Sequence, residues 1–225
     1  MNKIRIFILL LIIFFLSLAP VFAKTSTALS ESAQNCVKGD KILNYYESLQ
    51  DKTDADKYLI AAKYFYFQAQ RSDLSNPNAF IGRARVFLYQ DNILEAKNAL
   101  MTALNFNEKN PRVNFYLGET FYQDGEYKDA IDYYTKAYNY GYKYDYKTNI
   151  QLGTCYQKLG YTEKARLYLK NALKIKPASI DAQAKLGALD AINTQYENYP
   201  VFSDSTVDSQ NEEVSPEDLK ILNNI

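Results

Sequence analysis

Residues 111–144 read PRVNFYLGETFYQDGEYKDAIDYYTKAYNYGYKY. Two stretches with helical apolar spacing flank the turn Asp124-Gly125. Gly118 on the first stretch and Ala130 and Ala137 on the second are small residues among large ones. That pattern brings two helix backbones close together, while bulky neighbours three and four positions away fill the space around the contact.

The same pattern recurs on both sides without internal gaps, at 77–110 and 146–179. Ala96, Ala130 and Ala165 correspond, as do Ala103, Ala137 and Ala172. Leu117-Gly118 matches Leu152-Gly153, and Leu186-Gly187 repeats the pair once more. Phe87, Phe121 and Tyr156 share a column, and so do Leu100, Tyr134 and Leu169. Gly125 and Gly160 share the turn column with Asp91. Asp145 is a one-residue insertion between the last two units. One helix pair cannot bury both of its apolar faces, so each unit needs the next to cover it.

The fixed period and these columns resemble the tetratricopeptide repeat family. Unit 111–144 carries Leu117, Gly118, Phe121, Gly125, Tyr127, Ala130, Tyr134 and Ala137 on the family's positions. Its first aromatic column is met by Phe80 but by Asn114 and Asn149 in the other units. The resemblance implies an all-α, right-handed α-solenoid of antiparallel helix pairs. A degenerate helix pair at 40–76 precedes the three repeats, and a capping helix at 180–195 closes them.

The flanks differ in composition. Residues 1–23 read as a signal peptide, with Lys3 and Arg5, the run from Ile6 to Leu16, and small residues Val21 and Ala23 before the cut. This predicts an exported chain, in the periplasm, the extracellular space or the cell envelope of a bacterium. The alternative is a membrane anchor at 4–22. Residues 24–39, rich in Ser, Thr, Ala and Asn, predict a flexible lead. Residues 196–225 hold 7 acids and 1 lysine and predict an acidic disordered tail. Ser215-Pro216-Glu217-Asp218 is a helix-start signature within it, ahead of a segment short enough to stay frayed on its own.

Composition excludes several functions. The chain of 225 residues has no His and 2 Cys, so no His base, His ligand or four-cysteine zinc site exists. With 26 Lys+Arg against 26 Asp+Glu it has no basic surplus for nucleic acid. No Gly-rich phosphate loop or nucleophile elbow is present, so the expectation is a non-enzyme that needs no metal or cofactor.

The resemblance implies that the first helix of each unit lines a concave groove for a protein or peptide partner. Its candidates are Ile81, Arg85, Leu88 and Tyr89, then Phe115, Glu119, Tyr122 and Gln123, then Ile150, Thr154, Gln157 and Lys158. An alternative lies in the 21 tyrosines, seven of which crowd into 133–146. Tyr140, Tyr142 and Tyr144 alternate there like a strand and suggest an aromatic platform for a cell-wall glycan. Cys155 falls on an inward helical position, and Cys36 has no assigned role.

Overall fold

The computed structural model describes residues 31–197, with side chains described to 191. The signal segment, the alternative anchor at 4–22, the lead as far as residue 30 and the tail from 198 lie outside the described residues. The described chain is all-α. Nine helices pack as antiparallel pairs: α1 (31–48), α2 (Asp56–Ser72), α3 (Pro77–Tyr89), α4 (Ile93–Phe106), α5 (Pro111–Gln123), α6 (Tyr127–Ala137), α7 (Tyr146–Lys158), α8 (Thr162–Ile175) and α9 (Ile180–Glu197). They form two compact units, divided after Glu108. Among the described residues no helix is long and apolar enough to cross a membrane.

In the first unit, α1 begins earlier than the sequence suggested. Residues 31–39, read as part of a flexible lead, are helical. Ser32 is buried and donates to the Ala69 carbonyl at 2.7 Å, and Asn76 donates to Ser32 at 2.9 Å. Gly39 lies against the Tyr66 ring. Small residues are ambiguous in sequence, because they mark both linkers and helices that approach closely. Here they serve the second purpose. Leu43, Leu59, Ala62, Tyr66 and Ala69 then share one core with Ala79 and Val86 of α3.

Helix starts follow from local chemistry. Asn76 accepts from the Asn78 amide at 3.0 Å, with Pro77 as the first helical residue. In the second unit Asn110 accepts from the Arg112 and Val113 amides, followed by Pro111. Each Asn satisfies amides that the first turn leaves unpaired, and Pro lacks the amide it would waste. The Asn residues in the family's aromatic column extend this device. Asn114 donates to the Asn110 carbonyl, and Asn149 to the Asp145 and Lys143 carbonyls, tying each helix to its entry turn.

The turn column is left-handed throughout: Asp91 at φ 57°, Gly125 at φ 81° and Gly160 at φ 80°. Aspartate carries a Cβ penalty there that glycine avoids. Asp91→Gly is therefore expected to raise the stability of the first unit by about 0.5–1 kcal/mol, the left-handed penalty of about 1–2 kcal/mol less the extra chain entropy that glycine loses on folding. Urea denaturation with unchanged circular dichroism would measure it, and a loss of stability would refute the argument.

The second unit absorbs its inserted residue in a π-helical turn. α6 passes into Tyr138–Tyr142, with Gly141 at φ 139°. A π turn holds one more residue per hydrogen-bonded ring than an α turn, and Gly141, at a positive φ that a Cβ would oppose, then kinks the chain and ends the helical path before Asp145. Asp145 then caps α7 by accepting from the Thr148 amide at 2.7 Å. Tyr138 and Tyr140 thus continue the helical path, Tyr142 lies at its end and Tyr144 in the turn beyond, with no extended strand among them. α9 buries Ala182 and Leu189 against the core of α7 and α8. Its start is capped by Ser179, which accepts from the Ala182 amide.

Candidate functional site

The positions assigned to a groove divide into buried and open ones. In the first unit Ile81 is fully buried. Arg85 is 8% exposed and forks between two carboxylates of α1. Its guanidinium donates to Asp40 at 3.1 Å and to Glu47 at 2.6 Å. Asp40 also accepts from the Tyr66 hydroxyl at 2.7 Å, and Glu47 from the Tyr89 hydroxyl at 2.8 Å. The Tyr89 ring meets Tyr46 edge-on at 5.1 Å, and the Lys52 ammonium lies 4.3 Å from the Tyr46 ring centre. Arg85 thus joins α3 to α1, a network the repeat columns gave no hint of. Tyr89 alone of these candidates is well exposed.

In the second unit Phe115 is buried against Tyr134, Tyr142 and Tyr116, with ring centres 5.6, 6.2 and 5.3 Å away. Glu119 accepts from the Tyr134 hydroxyl at 2.6 Å and from Gln151 of α7 at 2.5 Å. Burial foremost, and then the Glu119 charge, raises the Tyr134 pKa well above its ordinary value. Thr154 is buried and returns its hydroxyl to the Ile150 carbonyl of its own helix. Tyr122 is half-buried and tilts against Tyr127 at 5.6 Å, and burial raises its pKa too. Gln123 and Lys158 are exposed and Gln157 is half-buried. Tyr122, Gln123, Gln157 and Lys158, at the ends of α5 and α7, are the open part of the candidate set here.

Both cysteines are buried thiols. Burial, and secondarily Glu119, pushes the Cys155 thiol up to about 12. Such a thiol is neutral at physiological pH and is no nucleophile.

The tyrosine run does not present one aromatic face. Tyr138 is buried and meets Tyr168 edge-on at 5.9 Å. Tyr142 packs on Phe115 and is half-buried, and its pKa is raised by burial. Tyr140 is 39% exposed and Tyr144 79%. Alternation in sequence failed as a guide because the segment passes from a helix end through a kink at Gly141 into a turn, and not along an extended strand.

Comparison with known proteins agrees with the fold. Residues 146–179 match the tetratricopeptide repeat. A protein CTR9 homolog of Arabidopsis thaliana is 24% identical over 153 residues, which are 66% of this chain and 14% of that protein. This chain therefore spans only a small part of its relative. Among solved structures, pilF of Pseudomonas aeruginosa superposes with a TM-score of 0.66 at 17% identity, over 76% of this chain and 72% of that one. YrrB, a TPR protein with an unusual peptide-binding site, gives 0.53 at 21% identity, over 77% and 85%. The chain is a TPR-fold protein that carries a tetratricopeptide repeat at 146–179.

Proposed function

We propose that this chain is a non-enzymatic interaction scaffold of the bacterial cell envelope, which holds a peptide or protein segment on the open ends of α5 and α7. The observation that carries this reading is the division within the second unit. Phe115, Glu119 and Thr154 are committed to packing and internal hydrogen bonds, whereas Gln123 and Lys158 are exposed and Tyr122 and Gln157 keep part of their surface open. An aromatic ring with flanking amides and a cation suits an extended peptide, whose main chain needs donors and acceptors and whose apolar anchors need a ring. The export pattern of residues 1–23 supports the envelope location. Peptide binding by YrrB, a structure of the same fold, is consistent with the reading.

The test begins with affinity purification from envelope fractions, followed by titration of the recovered partner. Tyr122→Ala with Lys158→Ala is expected to weaken binding about tenfold or more, with a folded chain whose melting temperature falls only modestly, since Tyr122 is half-buried against Tyr127. Equal affinity for wild type and variant would reject the face. N-terminal sequencing of the mature chain is expected to begin at Lys24, and a chain confined to the cytosol would reject the location. The glycan alternative is weakened by the packing of the half-buried Tyr142 on Phe115, which keeps it from forming one open face with Tyr140 and Tyr144.

A further inference from the structure

The outward side of α2 is unlike that of the later second helices. α2 buries Leu59, Ala62, Tyr66 and Ala69 within its unit. On its opposite side Ile60, Tyr64 and Phe67 follow one another at i, i+4 and i+7, so they form one stripe. They are 64%, 57% and 49% exposed. α4 keeps exposed Leu94 and Met101 in two of these columns. In α6 the same columns hold Lys128, Asp132 and Thr135, and every exposed residue of that helix is charged. A second helix of this chain can therefore meet water with charge alone, and α2 does not.

The charge around the stripe is positive. The other exposed residues of α2 are Lys57, Lys63, Arg71 and one acid, Asp56. Lys57 lies three positions before Ile60 and Arg71 four after Phe67, so these two cations stand at the ends of the stripe. Lys63 flanks it, with its ammonium 4.9 Å from the Phe87 ring centre. The carboxylates of Asp40 and Glu47 on α1 are turned to Arg85 of α3, where their charge is met.

Large exposed apolar side chains set among cations match the chemistry of an anionic bilayer surface. Each cation near such a surface strengthens binding about fivefold. Rings and branched chains that enter the boundary of headgroups and acyl chains supply the apolar part. The stripe stands on the outside of a helix with about half or more of each side chain in water, so it offers no walls to seat the side chain of a peptide. A bilayer needs none. Two of the three cations are lysines, point charges without the planar fork that selects one carboxylate. The position in the chain points the same way. Residues 23–30 separate α1 from the apolar segment 4–22, and eight residues reach at most about 30 Å. The pair of α1 and α2 therefore lies beside any membrane that this segment enters.

We propose that the outward side of α2 is a peripheral membrane-docking face, on which Ile60, Tyr64 and Phe67 enter an anionic phospholipid surface while Lys57, Lys63 and Arg71 meet its phosphate groups. The helix then lies in the plane of the membrane without crossing it. The face belongs to the first unit and shares no residue with the open ends of α5 and α7, so either proposal stands if the other fails.

Vesicle sedimentation tests it with the mature chain from Lys24, so that the apolar run of residues 6–16 contributes nothing. The chain is expected to sediment with vesicles of phosphatidylcholine and phosphatidylglycerol, to stay in solution with phosphatidylcholine alone, and to be released as salt rises. The chain has no Trp, so Phe67→Trp places a single reporter in the stripe, and its emission should shift to the blue on binding. Ile60→Ser, Tyr64→Ser and Phe67→Ser together are expected to weaken binding about tenfold or more, with the melting temperature kept because all three side chains are exposed. Lys57→Gln with Arg71→Gln should also weaken it about tenfold or more, and is read in place of the serine variant should that one fail to fold. Tyr122→Ala should leave binding unchanged. No sedimentation with phosphatidylglycerol, equal binding by the folded variants, or a bound Phe67→Trp chain whose emission does not move overturns the proposal. Capture of the soluble peptide acetyl-Glu-Leu-Leu-Glu-Ala-Leu-Leu-Glu-amide without vesicle binding would give the face to a protein partner and overturn it too.

Discussion

Gly82→Ala is expected to destabilise the first unit by about 2 kcal/mol, and Tyr66→Leu in the same chain should remove most of that cost. A Cβ at position 82 would lie 2.1 Å from the Tyr66 ring, far inside contact distance. The ring cannot retreat. A Cβ built on Gly39, on its other side, would itself be only 2.8 Å away, and the Tyr66 hydroxyl is held by Asp40 at 2.7 Å. Tyr66 is fully buried, so no solvent gap absorbs the displacement. Leucine already fills this column at Leu100 and Leu169, so Tyr66→Leu is compatible with the helix pair. The single Tyr66→Leu change loses ring contacts and a hydrogen bond, at about 1–2 kcal/mol. The double variant should fall close to it. Urea denaturation of the four proteins gives the coupling, expected at about 1 kcal/mol or more. Strict additivity would show that the glycine is present for some reason other than the tyrosine.

Close approach of this kind is also why so much of the fold could be read from sequence. Ala96, Ala103, Ala130, Ala137, Ala165 and Ala172 are all fully buried, as are Leu117 and Leu152. Each lies where helix meets helix and where one size of side chain fits, so the constraint recurs at the repeat period. Gly118 obeys it against Tyr134, where an added Cβ would lie 2.5 Å from the ring. The left-handed turn at Asp91, Gly125 and Gly160 is likewise a local demand with a local signature. The insertion at Asp145 was visible as a shift in spacing. That it becomes a π turn was not, because the choice depends on Tyr138 and Tyr142 packing into a core assembled from other helices. The start of α1 was missed because small residues carry no periodic apolar signal until Tyr66, 26 residues beyond Asp40, is brought against them.

The candidate site was less legible. Columns implied by a family identify which helix face a residue occupies, but not whether a neighbouring helix already uses it. Glu119 could be placed on a face, yet its engagement by Gln151 spans 32 residues and two helices. The first repeat departs from the next two at Arg83, which stands among leucines, and at Ala99, which stands among tyrosines. Phe87 is nonetheless 6% exposed, because the Lys63 ammonium and the Arg83 guanidinium lie over its ring, so a departure in the columns does not by itself report a missing contact.

Arg85→Ala should cost the first unit about 3 kcal/mol, the range expected when one member of a buried ion pair is removed. The guanidinium is buried, while the side chains of Asp40 and Glu47 are 32% and 33% exposed. Partial access to water keeps the orphaned carboxylates from reaching the largest values measured for fully buried charges. Their mutual repulsion acts in the other direction, since Arg85 is the cation that spans them. Arg85→Lys separates charge from geometry. An ammonium keeps the charge but lacks the planar fork that reaches Asp40 at 3.1 Å and Glu47 at 2.6 Å together, so about half the loss should remain. Tyr89 gives a second readout, because its hydroxyl shares Glu47 with Arg85 and its fluorescence should change in both variants. The alternative role for Arg85, a ligand contact in a groove, makes the opposite forecast: partner affinity would fall while urea stability stayed constant. Burial at 8% with both carboxylates supplied by α1 places the residue on the stability side of that choice. The same logic ties α1 to the array, since Asp40 and Glu47 are the means by which α3 holds a helix that the repeat pattern alone does not specify.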